Sequence, residues 1–300
     1  MARIIVIGSS NTDMVIKSKK LPLPGETILG GTFLMNPGGK GANQAVSAAR
    51  LGGNVTFVTK TGNDIFGSEA VQLFHKEGIE AKYISKDDKN PSGVALITVD
   101  EYGENSIVVA PGSNGTLSAQ DIKDEIFDTD KSDLFLMQLE IPVSTVEFVA
   151  KKASGNGNRV ILNPAPAQYL SDDLLGCIYL ITPNETEAEI LTGIKVYDSA
   201  SAEIAARELK KMGVQNVILT MGGSGAFVLS GNISKMIPVV PVKAVDTTAA
   251  GDVFNGALAV AISEGRNIED AVVFANKAAA ISVTRMGAQA SAPYREEIRP

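Results

Sequence analysis

Arg3-Ile-Ile-Val-Ile-Gly-Ser-Ser-Asn-Thr-Asp-Met-Val-Ile16 decides how this chain is read. Ile4–Ile7 is apolar without alternation, the pattern of a strand covered on both faces of a sheet. In a simple β-α-β unit a helix would follow Gly8. Here a second strand-like run, Asn11–Ile16, follows instead. A turn carrying Pro22, Pro24 and Gly25 then leads into another, Thr27–Leu34. Two kinds of β structure therefore begin within the same short stretch.

Working outward, the first kind continues. Val55–Thr61, Leu134–Leu139, Val160–Asn163, Ile178–Thr182, Val217–Thr220 and Ala226–Leu229 read as further covered strands. Helical patterns lie between or beyond them at Ala42–Leu51, Ser68–Glu77, Val143–Lys152, Thr186–Leu191, Ala200–Met212, Val253–Glu264 and Ile268–Thr284. Gly52, Gly78, Gly213 and Gly265 stand at helix ends, a common stop signal. The alternation predicts an α/β fold with a central, mostly parallel sheet flanked by helices. The second kind recurs at Gly93–Val99 and Asn105–Ala110, a hairpin around Asp100-Glu-Tyr-Gly103. These helix-free stretches predict a small second sheet, built from insertions at about 11–35 and 92–111, within a single domain spanning 1–300.

Composition narrows the function. The chain has 300 residues, 44% hydrophobic and 20% charged, with a net charge of -7. That supports a sizeable core and argues against non-specific nucleic-acid binding, which needs a basic surface. The first apolar run is too short for a signal peptide or membrane span, and no eighteen-residue apolar run occurs. A lone cysteine, Cys177, allows no internal disulfide and suits a cytoplasmic protein; it reads as a small buried hydrophobe. With His75 the only histidine, near a helix end, zinc or Ser-His-Asp chemistry has little support.

Open parallel sheets bind ligands beyond the carboxyl ends of their strands, where Glu140, Asn163, Asn184 and Thr220 fall. Four motifs bear on chemistry. Asn36-Pro-Gly-Gly-Lys-Gly-Ala-Asn-Gln-Ala45 is not a Walker A loop, because Gly41 follows Lys40 and Leu34 occupies the earlier glycine position. It remains a flexible turn feeding a helix with Asn43 in its first turn; taken alone, a tight turn before an ordinary amphipathic helix is the favoured reading. In Ala244-Val-Asp-Thr-Thr-Ala-Ala-Gly-Asp-Val-Phe-Asn-Gly256, the amides of Ala249, Ala250 and Gly251 would lie free at a helix start, an anion hole. Asp252 beside them is either a cap or a base for an attacking hydroxyl. In Ile181-Thr-Pro-Asn-Glu-Thr-Glu-Ala188, Asn184 and Glu187 face one side and either hold Mg²⁺ through water or merely open a helix. Thr220-Met-Gly-Gly-Ser-Gly225 either admits a nucleotide to the backbone or is a plain hairpin turn.

Gly8-Ser-Ser-Asn-Thr-Asp13, Pro37–Ala45, Asn163-Pro-Ala-Pro-Ala167, Thr182–Glu189, Asp246–Asp252 and Gly287-Ala-Gln-Ala-Ser291, taken together and in order, resemble the ribokinase branch of the PfkB carbohydrate kinase family. One departure is Ala249 where many members carry glycine. The resemblance implies a Rossmann-like ribokinase fold with a β-sheet lid that covers the sugar and forms a homodimer interface. It implies phosphorylation of D-ribose by ATP, with Asp252 the base on the sugar 5-hydroxyl and Ala249, Ala250, Gly251 and Asp252 the anion hole. Asn11, Asp13, Gly39, Lys40, Gly41, Asn43 and Glu140 would contact ribose. Asn184, Thr220, Gly222, Gly223, Ser224, Gly225, Gly251 and Asn276 would surround ATP, with Glu187 helping to place Mg²⁺. An activating K⁺ would sit among Asp246, Thr248, Ser282, Arg285, Gly287 and Ser291. A kinase for another small sugar or a nucleoside, and a non-catalytic sugar sensor, are the alternatives; a dinucleotide oxidoreductase has weaker support.

Overall fold

The computed structural model describes residues 2–298. The chain runs β1 (Arg3–Ile7), β2 (Asn11–Lys17), β3 (Thr32–Gly38), α1 (Lys40–Arg50), β4 (Asn54–Gly62), α2 (Ile65–Lys76), β5 (Ile84–Asp87), β6 (Gly93–Val99) and β7 (Asn105–Ala110). It continues through β8 (Leu134–Met137), α3 (Val143–Gly155), β9 (Arg159–Leu162), α4 (Asp172–Leu175), β10 (Leu180–Ile181), α5 (Glu185–Thr192) and α6 (Ser199–Lys211). Last come β11 (Asn216–Thr220), β12 (Ala226–Ser230), β13 (Ile233–Ile237), α7 (Ala250–Ser263) and α8 (Ile268–Ser282).

The main sheet has nine strands in the order β13-β12-β11-β10-β9-β8-β1-β4-β5. The seven from β11 to β5 pair in parallel, and β12 and β13 add an antiparallel edge. Alternate residues of β1 feed two cores: Ile4 and Val6 pack with α1, α7 and α8, Ile5 and Ile7 with α3 and α6. All four are fully buried, as a strand covered on both faces requires. Each such side chain contributes about 1.5–3 kcal/mol by leaving water. The chain first moves outward from β1 to β4 and β5, then returns to β8 on the other side. That reversal opens a crevice beyond the carboxyl ends of β1 and β8.

The small sheet has the order β3-β2-β6-β7. Asp13 pairs across it with Asn36 and Ala95, and Met14 with Met35 and Leu96. Asn11 and Asp13 therefore share one face, and the other carries Ile16, Phe33, Met35, Leu96 and Val108, all exposed. Among the described residues no helix is long and apolar enough to cross a membrane.

Several boundaries differ from expectation. The strand expected at Thr27–Leu34 is β3, Thr32–Gly38; Gly30 and Gly31, both with positive φ, interrupt the chain before it. Its Pro37 is tolerated because β3 is an edge strand. β5 and β13 escaped notice because they are short edge strands with polar, partly exposed residues. Helices α1 and α7 begin two and three residues earlier than the apolar periodicity implied, since their first turns are polar or small. Cys177 is partly exposed rather than buried, its thiol donating to the carbonyl of Asp173 at 3.3 Å.

Candidate active site

The glycines of the first motif bring two backbones together. A Cβ on Gly41 would lie 2.5 Å from the Ser9 nitrogen, and one on Gly39, whose φ is 88°, 2.7 Å from the Asn11 nitrogen. The start of α1 therefore presses onto the end of β1, and the Ala42 amide donates to the Ser9 carbonyl at 2.9 Å. Lys40, Asn43 and Gln44 are thereby set over the crevice. Glu140, just after β8, accepts from the Ser9 hydroxyl at 2.6 Å and the Lys40 amide at 3.0 Å.

Asp252 approaches the same point from the first turn of α7. Its carboxylate is buried, accepting from Asn43 Nδ2 at 2.9 Å and Gln44 Nε2 at 3.0 Å. The cap residue Ala249 has φ 59°, the one non-glycine residue with positive φ among those described. That left-handed turn costs about 1–2 kcal/mol for alanine. It aims the helix start outward, where the amides of Gly251 and Asp252 have no partner among the described residues; the Ala250 amide bonds the Thr247 carbonyl at 3.2 Å. A Cβ on Gly251 would meet nothing within 4 Å, so the approach to these amides is open.

The charges here are coupled. Burial raises the pKa of Asp252, opposed by Lys40, Asn43 and Gln44. Burial, Glu140 and Asp252 push Asp13 up to about 6, with Lys40 pulling the other way. Burial disfavours the Lys40 ammonium, but Asp252, Glu140, Glu187 and Asp13 outweigh it and hold its pKa above the ordinary lysine value. One cation thus serves four carboxyl groups. Asn11 on the small sheet is fixed by Asn114, whose Nδ2 donates to Asn11 Oδ1 at 2.7 Å and to the Ser10 carbonyl at 3.0 Å.

A cavity of about 540 Å³ opens beside this cluster, with Lys40 and Asp252 at one end. Asn184, Thr220, Gly222, Gly223, Gly225, Gly251 and Asn276 line it, along with Glu187, and Val239, Val240, Val242 and Val283 supply apolar wall. Ser224 is exposed and does not line it. Gly222–Ser224 is a short turn between antiparallel β11 and β12, with no helix following, unlike a dinucleotide fingerprint. Gly225 has φ 101°, and a Cβ there would lie 2.2 Å from the Ile237 carbonyl oxygen. Asn276 donates to that same carbonyl at 3.1 Å.

Asn184 and Glu187 form a reciprocal cap on α5: the Glu187 amide donates to Asn184 Oδ1 at 2.8 Å, and the Asn184 amide to Glu187 Oε2 at 2.9 Å. The helix-opening role is therefore present, and the capped Glu187 still lines the cavity. Burial raises its pKa, with the Asn184 amide and Lys40 opposing. Among the described residues no group of three or more His, Cys, Asp or Glu side chains could hold a metal.

Of the six residues expected around K⁺, the structure joins three directly. Asp246 accepts from the Thr248 amide at 2.9 Å and the Gly287 amide at 2.8 Å. Ser282 and Ser291 donate to carbonyls of their own turns, and Arg285 pairs with Glu297. Sequence reasoning missed Ser9, Gln44, Asn114 and Gln138. Gln44 lay inside a quoted motif, and its only signal was a polar residue in an otherwise apolar helix stripe.

A scan of family models matches residues 1–295 to the pfkB family carbohydrate kinase model. The chain belongs to the pfkB family of carbohydrate kinases. Within the family it is 47% identical to the ribokinase of Haemophilus influenzae over 294 residues, 98% of this chain and 96% of that one. It resembles the crystal structure of ribokinase from Thermotoga maritima with a TM-score of 0.91 and 42% identity, over 99% of this chain and 98% of that one. It also resembles Arabidopsis thaliana ribokinase complexed with ribose and ATP, with a TM-score of 0.92 and 33% identity, over 99% and 97% of the two chains. The family's ribokinase fold, a large mostly parallel sheet with flanking helices and a smaller sheet, is the fold described above.

Proposed function

We propose that this chain transfers the γ-phosphoryl group of ATP to the 5-hydroxyl of D-ribose, giving D-ribose 5-phosphate and ADP. One observation carries the reading: the buried Asp252 carboxylate sits where open helix-start amides, Lys40 and the large cavity meet. Phosphoryl transfer needs that combination, a base on the acceptor beside positioned donors for the transferring group. The Arabidopsis relative carries ribose and ATP together, which supports the same pair here.

In this reading ribose lies between the small sheet and α1, contacting Asn11, Asp13, Gly39, Lys40, Gly41, Asn43 and Glu140. Carboxylates and amides suit vicinal hydroxyls, which both donate and accept. The buried Asn43 Oδ1 has no partner among the described residues and suits a hydroxyl donor. The small sheet acts as the lid, over about 11–38 and 92–111. ATP lies in the large cavity, its adenine against the valine wall and its γ-phosphate on the amides of Gly251 and Asp252. Asp252 takes the proton from the 5-hydroxyl as that oxygen meets phosphorus.

Magnesium fits as an ion held largely by phosphates and water, as it commonly is. Glu187 would anchor it through water and neutralise charge on the transferring group. K⁺ would sit at Asp246, Thr248 and Gly287, near Ser282, Arg285 and Ser291, and brace the turn before Ala249. The exposed apolar face of the small sheet suits a homodimer interface. A cytoplasmic location fits the single free cysteine and a substrate pair drawn from metabolism.

The test is ribose-dependent ADP release by Asp252→Asn. A fall of about 10²-fold or more is expected from loss of the base; near-wild-type turnover would overturn the assignment. Rates on ribose, deoxyribose, fructose and adenosine separate this reading from a kinase of another sugar or nucleoside. Ribose binding with no ATP turnover would instead mark a sugar sensor.

A further inference from the structure

Behind Asp252 lies a chain of buried amides that the reaction, as read above, does not use. Gln44 Nε2 donates to Asp252 Oδ1 and to Asn163 Oδ1, each at 3.0 Å. Gln44 Oε1 accepts from Gln138 Nε2 at 2.5 Å. Asn163 Nδ2 donates to the Thr182 carbonyl at 3.1 Å. Gln44 and Gln138 are fully buried, and Gln44 does not line the cavity.

The direction of every amide in this chain is forced. The Thr182 carbonyl can only accept, so Asn163 must turn its nitrogen there and its oxygen to Gln44. Gln44 then faces two acceptors, Asn163 Oδ1 and the Asp252 carboxylate, and must present its nitrogen to both. Its oxygen is left for Gln138. Turning Gln44 over would set its oxygen against two acceptors and strand the Gln138 nitrogen, each a buried unpaired group. Gln138 packs against Gly8, where a Cβ would lie 2.1 Å from Gln138 Oε1; that oxygen has no hydrogen-bond partner among the described residues, so Gln138 is oriented by its nitrogen alone.

We propose that Gln44 is a positioning residue: its amide, locked by Gln138 and Asn163, holds the Asp252 carboxylate in one orientation and keeps it ionised until the sugar proton arrives. The inference rests on Asp252 being the base. In the step concerned the sugar O5–H bond breaks and its proton passes to Asp252. The O5 electron pair forms the bond to the γ-phosphorus of ATP, and the bond to the β,γ-bridging oxygen breaks, its electrons leaving with ADP. A base that could turn, or carry a proton beforehand, would miss that moment. The other charged groups facing Asp252 are Lys40 from α1, Asp13 from β2, Glu187 from α5 and Glu140 after β8. Gln44 differs from them in being neutral, so it orients the carboxylate at every pH.

The experiment is a pH profile of kcat, with KM for ribose and ATP, in Gln44→Leu, Gln138→Met and the double variant, alongside Asp252→Asn. Loss of one donor to a buried carboxylate should lower kcat of Gln44→Leu about 10- to 100-fold and move its acidic limb up by about one pH unit. Both KM values should change less than about threefold, because Gln44 touches neither substrate. Gln138→Met should move the limb the same way by less, and add nothing in the Gln44→Leu background. If Gln44→Leu does not fold, Gln138→Met decides alone, since it lies one residue further from the base. An unmoved limb, a loss confined to KM, or additive effects would overturn the proposal. If Asp252→Asn is inactive while these variants keep the wild-type limb, only this inference fails; if Asp252→Asn is active, the base assignment itself fails.

Discussion

Replacing Asp13 by asparagine should stabilise the ligand-free protein while weakening sugar binding. Burial, Glu140 and Asp252 together lift the Asp13 carboxyl from 3.8 to about 6. A shift of about two units corresponds to about 3 kcal/mol of disfavoured charge. The sign follows from linkage. The folded state holds this proton more tightly than the unfolded chain, so stability falls as pH rises from about 4 to about 6 and the full penalty persists above that. Asparagine carries no charge to penalise, and the attraction to Lys40 is already contained in the shift. At pH 8, Asp13→Asn should therefore gain up to about 3 kcal/mol, or roughly 5 °C in Tm for a chain of this length. Below pH 4 the gain should vanish. Ribose affinity should fall about 10- to 100-fold, because a charged acceptor becomes a neutral one. Thermal unfolding at the two pH values and calorimetric ribose titration test both halves. A variant less stable than the parent at pH 8, or equally stabilised at both pH values, would refute the account of Asp13 as a strained charge kept for the sugar.

Three further outcomes follow from the same geometry. Gly41→Ala places a Cβ 2.5 Å from the Ser9 nitrogen and 2.6 Å from the Gly8 carbonyl carbon, both backbone; denaturant titration should show a loss of about 2–4 kcal/mol together with lost activity. Lys40→Met removes the cation that faces Asp252, Glu140, Glu187 and Asp13 together; a pH–rate profile should show the acidic limb rising by at least about one unit and kcat falling about 10²-fold. On the proposal that the exposed apolar face of β6 pairs two copies, Leu96→Glu should shift sedimentation toward monomer while leaving the chain folded, because Leu96 is 55% exposed; an unchanged sedimentation profile would count against that interface.

The main sheet was legible because its strands are apolar on both faces and its helices end in glycine. Ile4–Ile7 needs no partner to be read as covered. The small sheet was legible for the opposite reason: Asn11–Lys17 and Gly93–Val99 lack the helix that a parallel crossover needs. What stayed hidden were elements whose residues do not depend on burial. β13, Ile233–Ile237, is exposed at Ser234 and Lys235, buries only Ile237, and exists because β12 lends it an edge. The site divided similarly. Asp252 stood out beside small residues at a helix start. Gln44, Gln138 and Asn114 did not, because their meaning lies in pairings across 94 to 208 positions that no local pattern records. Gly8 and Gly41 were visible as glycines, but only their contact with each other, with Gln138 against Gly8 and Ser9 against Gly41, explains why neither can carry a side chain.

The absence of lysine from Thr247–Asp252 follows from the charges around it. Asp13, Glu140, Glu187 and Asp252 already crowd one another, with Lys40 alone among them. A lysine in the α7 turn would attract a triphosphate, but it would also sit beside Asp252. An adjacent ammonium lowers a carboxyl pKa by about 1–3 units, making the carboxylate a poorer proton acceptor at the moment of transfer. Backbone amides avoid the conflict. They attract an anion through partial charges aimed along the helix axis and fade within a turn. Phosphate and base can then be neighbours without the first weakening the second. The left-handed Ala249 contributes by turning the amides outward while Asp252 points inward to Asn43 and Gln44. On this argument a lysine installed at Gly251, where a side chain meets open space, should tighten ATP binding yet lower kcat. Tighter ATP binding with undiminished kcat would show that the amide turn is not there to protect the base.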